Sequence, residues 1–377
     1  MIRKEDIKVD YDHSIIAVSS SILKHYDVDS GYKSLAVLDK LLAQDYQNVI
    51  LMIIDGMGSE IIKQNLPEDS FLRRHKVADL SSVFPPTTAA ATTAYHSGLP
   101  PYVSGWMGWM EYIPEYDKII ELFNDIEYYS GKPTNQQKLA EGVLKYETIY
   151  EKIIKVHPEV EFHKIFPAFD PNGVKSFDEL CARIKTETKA SSNKKVFAAY
   201  WTEPDHSIHE TGVFSSKVKN ILKDIDAKLE DLDQSLEDTL IIISADHGAI
   251  NVKEIWMNDY PDVCALMKRP PALEARFKTF YIKEGCQEKF KSLFEKYFGQ
   301  DFILYTKQEF LQSGIIGSGK IHPIVEQSLG DFITIGTTDK DLRSTTGERE
   351  DKHMVADHAG FSPTEMTIPL IIIKKQK

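Results

Sequence analysis

DTLIIISADHG, residues 238–248, holds the two facts from which the chain can be read. Leu240 to Ile243 are apolar at every position, over a length that suits a strand better than a helix. A strand apolar on both faces belongs inside a sheet that helices cover on both sides. The run then ends at once in Asp246, His247 and Gly248. An acid and an imidazole at a strand's carboxyl end stand where open α/β sheets bind ligands.

The same layout recurs along the chain. NVILMIID (48–55) is a second apolar run closed by an acid, KKVFAAYW (194–201) is a third, and MTIPLIII (366–373) is the last. Between them lie helical patterns. Val218, Ile221, Leu222, Ile225, Leu229, Leu232 and Leu236 fall on one face of a helix across 215–236. Ser176 is placed to cap a helix over SFDELCARIKTETK. Strands alternating with helices predict an α/β fold, with a mainly parallel central sheet and helices on both faces. Residues 250–350 break the rhythm with KRPPALEAR, RFKTFYIK, EKFKSLFEKYF and DFILYTK. They read as a smaller α/β cap inserted into a main domain made of 1–249 and 351–377.

Composition narrows the function. The 377 residues carry a formal net charge of -12, with 42% hydrophobic and 27% charged side chains, which describes an ordinary globular protein. An acidic chain gains nothing from neutralising a nucleic-acid backbone, so no nucleic-acid polymer is expected as a partner. Acidity is compatible with phosphate chemistry where bound metal ions supply local positive charge. Cys181, Cys264 and Cys286 are odd in number and form no CxxC pair, against a disulfide framework or a thiolate zinc site. With no run of about 20 apolar residues, no membrane partner is expected, and the chain reads as cytoplasmic.

Four features fall at or near strand ends: Asp55 in IIDGMG, Asp205 and His209 in TEPDHSIHETG, Asp246 and His247 in ADHG, and His358 in VADHAGF. Singly, each has a plain explanation. Asp-Gly after a strand is usually a turn, and a lone His is more often a hydrogen-bonded surface or core residue than a ligand. What the plain explanation leaves unexplained is why carboxylates and imidazoles gather where three apolar strands finish. Three Asp and three His supply oxygen and nitrogen ligands that zinc accepts. Two ions sharing them leave positions open for an in-line displacement at phosphorus.

SVFPPTTAAATTAYHSGLPP (82–101) adds a nucleophile. Thr88 stands where the helix AAATTAYHSG begins, and a helix N-terminus offers free N–H groups and partial positive charge to a phosphoryl group. A hydroxyl there attacks phosphorus only if a base or metal activates it. The plain alternative is that Thr87 or Thr88 merely caps the helix.

VILMIIDGMG, SVFPPTTAAATTAYHSGLPP, YWTEPDHSIHETG, LIIISADHG and ADHAGF, in that order, resemble the alkaline phosphatase superfamily. More narrowly they resemble its type I phosphodiesterase/nucleotide pyrophosphatase branch, over residues from about 48 to 373. The resemblance implies a two-metal site, with zinc first and manganese or iron as alternatives. Asp55, Thr88, Asp246 and His247 would surround one ion, and Asp205, His209 and His358 would hold the other. It implies a threonine nucleophile, Thr88 with Thr87 in reserve, that forms a phospho-enzyme which metal-bound water hydrolyses. The implied partner is a small phosphate ester or nucleotide.

The chain departs from the family in two places. No arginine that would grip a phosphomonoester lies near Thr88, which tilts the reading towards diesters. The asparagine that the nucleotide pyrophosphatases place downstream of the nucleophile falls here at about Trp109. Trp106 and Trp109, in GWMGWMEYI (105–113), are candidates to contact substrate, although an aromatic stretch is more often core. Glu203, His206 and Asp357 neighbour the candidate ligands and are read as orienting groups or as turn residues.

A phosphomonoesterase or phosphonate hydrolase of the same superfamily is the alternative, and a metal-binding module without catalysis a further one. A sulfatase and a cofactor-independent phosphoglycerate mutase fit less well. The first lacks its CxPxR-type signature around residue 88, and the second uses serine.

Overall fold

A computed structural model describes residues 2–134, 138–139, 142–349 and 353–376. Its centre is a six-stranded sheet, in the order Lys76–Ser81, Thr367–Lys375, Thr239–Ser244, Asn48–Ile54, Lys195–Trp201 and Glu161–Ile165. The last four run parallel, with Asn48 opposite both Lys195 and Thr239. Every residue of the 48–54 and 239–244 strands is buried, so both faces are covered, as their unbroken apolar runs require.

The sheet is mixed rather than parallel throughout. Thr367–Lys375 runs antiparallel to both its neighbours. An apolar run shows no direction, but the connection does. The chain reaches this strand from the ADHAGF loop, which lies at the carboxyl ends of the parallel strands, so it has to run back the other way.

Helices pack in two groups. Ile15–His25 touches Ala36–Leu42, Thr88–Ser97 and Ile149–Val156, whereas Ser216–Ser235 touches Ser59–Asn65, Phe71–Arg74, Phe177–Glu187 and Asp205–Thr211. In Ser216–Ser235 the predicted stripe is buried at Val218, Leu222, Ile225, Leu229 and Leu232. Ser176 Oγ accepts from Glu179 N at the start of Phe177–Glu187.

A second sheet has seven antiparallel strands: Phe302–Thr306, Phe332–Gly336, Phe277–Phe280, Ala272–Leu273, Met110–Ile113, Lys118–Glu121 and Ile126–Glu127. It is not confined to 250–350. Three strands come from 110–127, joined where Leu273 pairs with Met110. Strand pattern in a sequence names no partner across such a separation, so the boundary drawn at 250 misses this contribution. The boundary at 350/351 lies outside the described residues. Gln287–Phe298 covers this sheet with Phe290, Phe294 and Phe298, all fully buried. Among the described residues no helix is long and apolar enough to cross a membrane.

Candidate active site

The strand ends bring the site together. Asp55 directly follows Asn48–Ile54, and Asp246 and His247 follow Thr239–Ser244. Asp205 opens the helix Asp205–Thr211, and His209 lies one turn on, four residues later on the same face. His358 follows the short strand Ala356–Asp357, which pairs with Ile250–Asn251. The close approach has a steric condition at Gly56. Its φ is +68°, and a Cβ there would stand 2.7 Å from Asp205 Cβ. Its N–H donates to Asp246 Oδ1 at 3.1 Å.

The ligand atoms form three overlapping groups: Asp55, Asp246 and His247; Asp205, His247 and His358; and His209, Asp357 and His358. Within each group they lie no more than 4.8 Å apart. The histidine rings of 247 and 358 stack at 3.8 Å between centroids. All three histidines face a backbone carbonyl through Nδ1: His209 with Ala356 O at 2.9 Å, His247 with Gly248 O at 3.0 Å, and His358 with Pro86 O at 3.1 Å. A carbonyl only accepts, so each Nδ1 carries hydrogen and each Nε2 is turned to the cluster as a ligand would be.

Two buried carboxylate atoms, Asp205 Oδ1 and Asp246 Oδ2, have no hydrogen-bond partner among the described residues. Buried carboxylate oxygens are rarely left in that state. Burial holds the Asp55 carboxyl well above its usual range, and repulsion from Asp246 and Asp205 adds to it. Burial also pushes Asp246 up to about 6. Burial works the same way on Asp205, but His209, His358 and His247 outweigh it and hold that carboxyl low. Burial lowers His247 and His358, keeping them neutral. Burial also opposes charge on His209, yet Asp205, 3.2 Å away, raises it to about 10. Crowded acids, the neutral imidazoles of His247 and His358, and orphaned oxygens make a donor set that fits divalent cations.

Thr88 is the first residue of the helix Thr88–Ser97. Its Oγ1 lies 3.2 Å from His247 Nε2 and 3.5 Å from Asp55 Oδ1. Thr87 holds the N-cap position but makes no cap bond. Its hydroxyl donates instead to Glu274 Oε1 at 2.7 Å, and the residue is 1% exposed. Plain capping therefore accounts for neither threonine.

The site opens into a cavity of about 910 Å³ shared between the two sheets. Thr88, Asp55, Asp205, His209 and His358 line its floor, with Trp109, Phe123, Phe166 and Phe169 in its walls. The two tryptophans part company here. Trp109 lines the cavity, whereas Trp106 does not: it is 1% exposed in the core, and its Nε1 donates to Leu144 O at 2.9 Å. Trp106 is thus a packing residue, because its side chain turns into the second sheet's core rather than to the opening.

Glu203 accepts from Ser207 N and Oγ, His206 is exposed at the cavity, and Asp357 holds Arg343 at 2.9 Å. Sequence reasoning missed Tyr200, whose hydroxyl donates to Asp55 Oδ2, and also Glu274, Lys278 and Arg343 of the wall. Tyr200 carries no signal beyond its place in a strand. The other three come from the second sheet or its neighbour.

Residues 49–360 match the family model for type I phosphodiesterase/nucleotide pyrophosphatase. Sequence comparison with curated proteins finds no match. In structure the chain is similar to murine ectonucleotide pyrophosphatase/phosphodiesterase 5 (TM-score 0.64, 18% identity, 87% of this chain and 88% of that one). An inactive threonine-to-alanine form of that protein is known in complex with AMP, again with TM-score 0.64 and 18% identity, over 87% of this chain and 91% of that one. Phosphonoacetate hydrolase from Sinorhizobium meliloti 1021, in complex with phosphonoformate, is similar at TM-score 0.60 and 15% identity, over 87% and 90% of the chains. The family is metal-dependent, typically with two divalent ions. The chain belongs to the type I phosphodiesterase/nucleotide pyrophosphatase family and is a phosphoric ester hydrolase of that kind.

Proposed function

We propose that the protein hydrolyses phosphate diesters or nucleotide pyrophosphate bonds through Thr88, with two zinc ions held by Asp55, Asp246 and His247 and by Asp205, His209 and His358. The observation that carries this reading is the gathering of Asp55, Asp246, His247, Asp205, His209 and His358 into overlapping donor groups, with the Thr88 hydroxyl 3.2 Å from His247 Nε2 and 3.5 Å from Asp55 Oδ1. Bound there, divalent cations lower the pKa of that hydroxyl and offset charge developing on the phosphoryl oxygens.

The chain's own residues do the rest. Thr88 Oγ1 bonds to phosphorus, and the bond to the leaving oxygen breaks on the opposite side. The leaving group takes that electron pair, and the hydroxyl proton passes to water in the open cavity. Water then displaces Oγ1 from phosphorus and restores the threonine. Free N–H groups at the start of Thr88–Ser97 face the phosphoryl oxygens. Tyr200 fixes Asp55 through Oδ2 and leaves Oδ1 towards Thr88.

The test is hydrolysis of bis-p-nitrophenyl phosphate beside p-nitrophenyl phosphate by zinc-loaded protein, with and without chelator. Chelator-sensitive preference for the diester is expected. A second reading, hydrolysis of a monoester or a small phosphonate, draws on Lys278 and Arg343 in the cavity wall and on the fold shared with phosphonoacetate hydrolase. Preference for the monoester would put that reading first. Inertness of both esters would overturn both readings as they stand.

A further inference from the structure

Three Lys or Arg side chains are buried among the described residues: Lys195, Arg276 and Lys278. Lys195 Nζ donates to the carbonyls of Ser191 and Asn193. Arg276 is bound by both oxygens of Glu365. Lys278 is 1% exposed and lines the cavity, yet among the described residues nothing hydrogen-bonds its ammonium or lies within ion-pair distance of it. An unpaired buried charge is costly, and such groups are ordinarily paired.

Its place in the fold says what the missing partner is. Lys278 lies in the strand Phe277–Phe280, opposite Leu273. The residue after Leu273 is Glu274, which holds the Thr87 hydroxyl and Trp109 N beside the nucleophile. The fields of Asp341 and of Asp357, the residue before His358, reach it as well. Glu274 and Asp357 are themselves engaged, by Thr87 and Trp109 and by Arg343. Burial, helped by Arg343, brings the ammonium down to about 8 against Glu274, Asp341 and Asp357, so it remains largely charged at neutral pH.

We propose that Lys278 binds a second acidic group of the substrate, a phosphate or a carboxylate adjoining the scissile phosphoryl group. It would then set the preference for substrates whose leaving portion is itself anionic. This rests on the hydrolase reading above and deepens it. The second sheet supplies this cation to the cavity that holds Thr88 from far along the sequence, and Arg343 and Arg349 line the same cavity.

The experiment compares Lys278→Met and Lys278→Gln with the unmodified protein, after thermal melts establish that the variants fold. ATP, whose α–β cleavage expels pyrophosphate, is set against bis-p-nitrophenyl phosphate, whose leaving group brings no second acid. We expect kcat/KM on ATP to fall about tenfold or more, the size of one charge-assisted hydrogen bond, and to change less than about threefold on the diester. Equal losses on both substrates, or none on either, would overturn the proposal.

A binding arm needs no turnover. Inorganic pyrophosphate and inorganic phosphate are titrated calorimetrically into each zinc-loaded protein. Selective weakening of pyrophosphate in the variants supports the proposal, and unchanged selectivity refutes it. If the unmodified protein cleaves neither ester, the hydrolase reading fails while this arm still decides the role of Lys278.

Discussion

Arg276 and Glu365 form a two-point ion pair with neither side chain exposed to solvent: Nε to Oε1 at 2.7 Å and Nη2 to Oε2 at 3.0 Å. The carboxylate does more than pair. Oε1 also accepts from Gly360 N at 2.7 Å and Oε2 from Ser362 N at 3.2 Å. Arg276 belongs to the second sheet's border, and Gly360 lies two residues beyond His358. The pair therefore ties the His358 loop to the second sheet.

Removing one partner strands the other charge in the core. Glu365→Gln or Arg276→Met should cost about 3–5 kcal/mol, and the double replacement Arg276→Met/Glu365→Met should recover part of that loss. Urea unfolding measures all three. Because the His358 loop hangs on Glu365, zinc affinity should fall in any single variant that still folds. Unchanged affinity would mean that the loop's other contacts, to Pro86, Gly336 and Arg343, suffice to hold it.

Thr88 and Thr87 are neighbours with different surroundings, so their variants should separate. Thr88→Ala should lower turnover by on the order of 10³-fold or more while bound metal stays at the wild-type level. Thr87→Ala removes a hydroxyl that only Glu274 receives, and should leave most of the activity. Turnover surviving in Thr88→Ala and lost in Thr87→Ala would exchange their roles.

The most legible residues of this site, Asp55, Asp246 and His247, share a property: they sit where an unbroken apolar run stops. Asp55, Asp246 and His247 could be placed at a sheet's carboxyl edge because NVILMII and TLIIIS are strands in themselves. Tyr200 could not, since nothing local distinguishes a strand tyrosine aimed at an acid from one packed in a core. Glu274 and Lys278 reach the site only because 272–280 pairs with 110–113, a contact between distant segments. The same blindness misplaced Trp106. Trp106 and Trp109 share an aromatic stretch, and only tertiary packing decides which ring faces the cavity. The reversed last strand was hidden for a similar reason, because apolar periodicity carries no direction.

Gly56 tests how tightly the two halves of the cluster are packed. In Gly56→Ala the new methyl must displace Asp205, and the backbone must keep a φ of +68° that suits glycine. The expected cost is about 1–3 kcal/mol, together with reduced bound metal. Calorimetric melting and metal analysis check the two effects separately. Full stability with full metal content would show that the 205–211 helix yields freely.

Glu111 gives a loss of stability between about pH 4.5 and 8 a specific origin. Its side chain is fully buried, Oε1 accepts from Met107 N at 2.5 Å and Gly108 N at 3.2 Å, and Oε2 has no partner among the described residues. Burial raises its pKa from 4.5 to about 8. The folded chain thus keeps a proton that the unfolded chain has lost, and between those values the native state binds more protons. Stability from this group is complete below about 4.5 and is lost as pH rises towards 8, by on the order of 5 kcal/mol at about 1.4 kcal/mol per unit. Glu111→Gln keeps the Oε1 acceptor and cannot ionise. Measured by urea unfolding, its stability relative to the unmodified protein should therefore rise from pH 5 and level off above about pH 8. A difference independent of pH would mean that Glu111 is ionised in the fold, with its charge carried by the Met107 and Gly108 N–H groups.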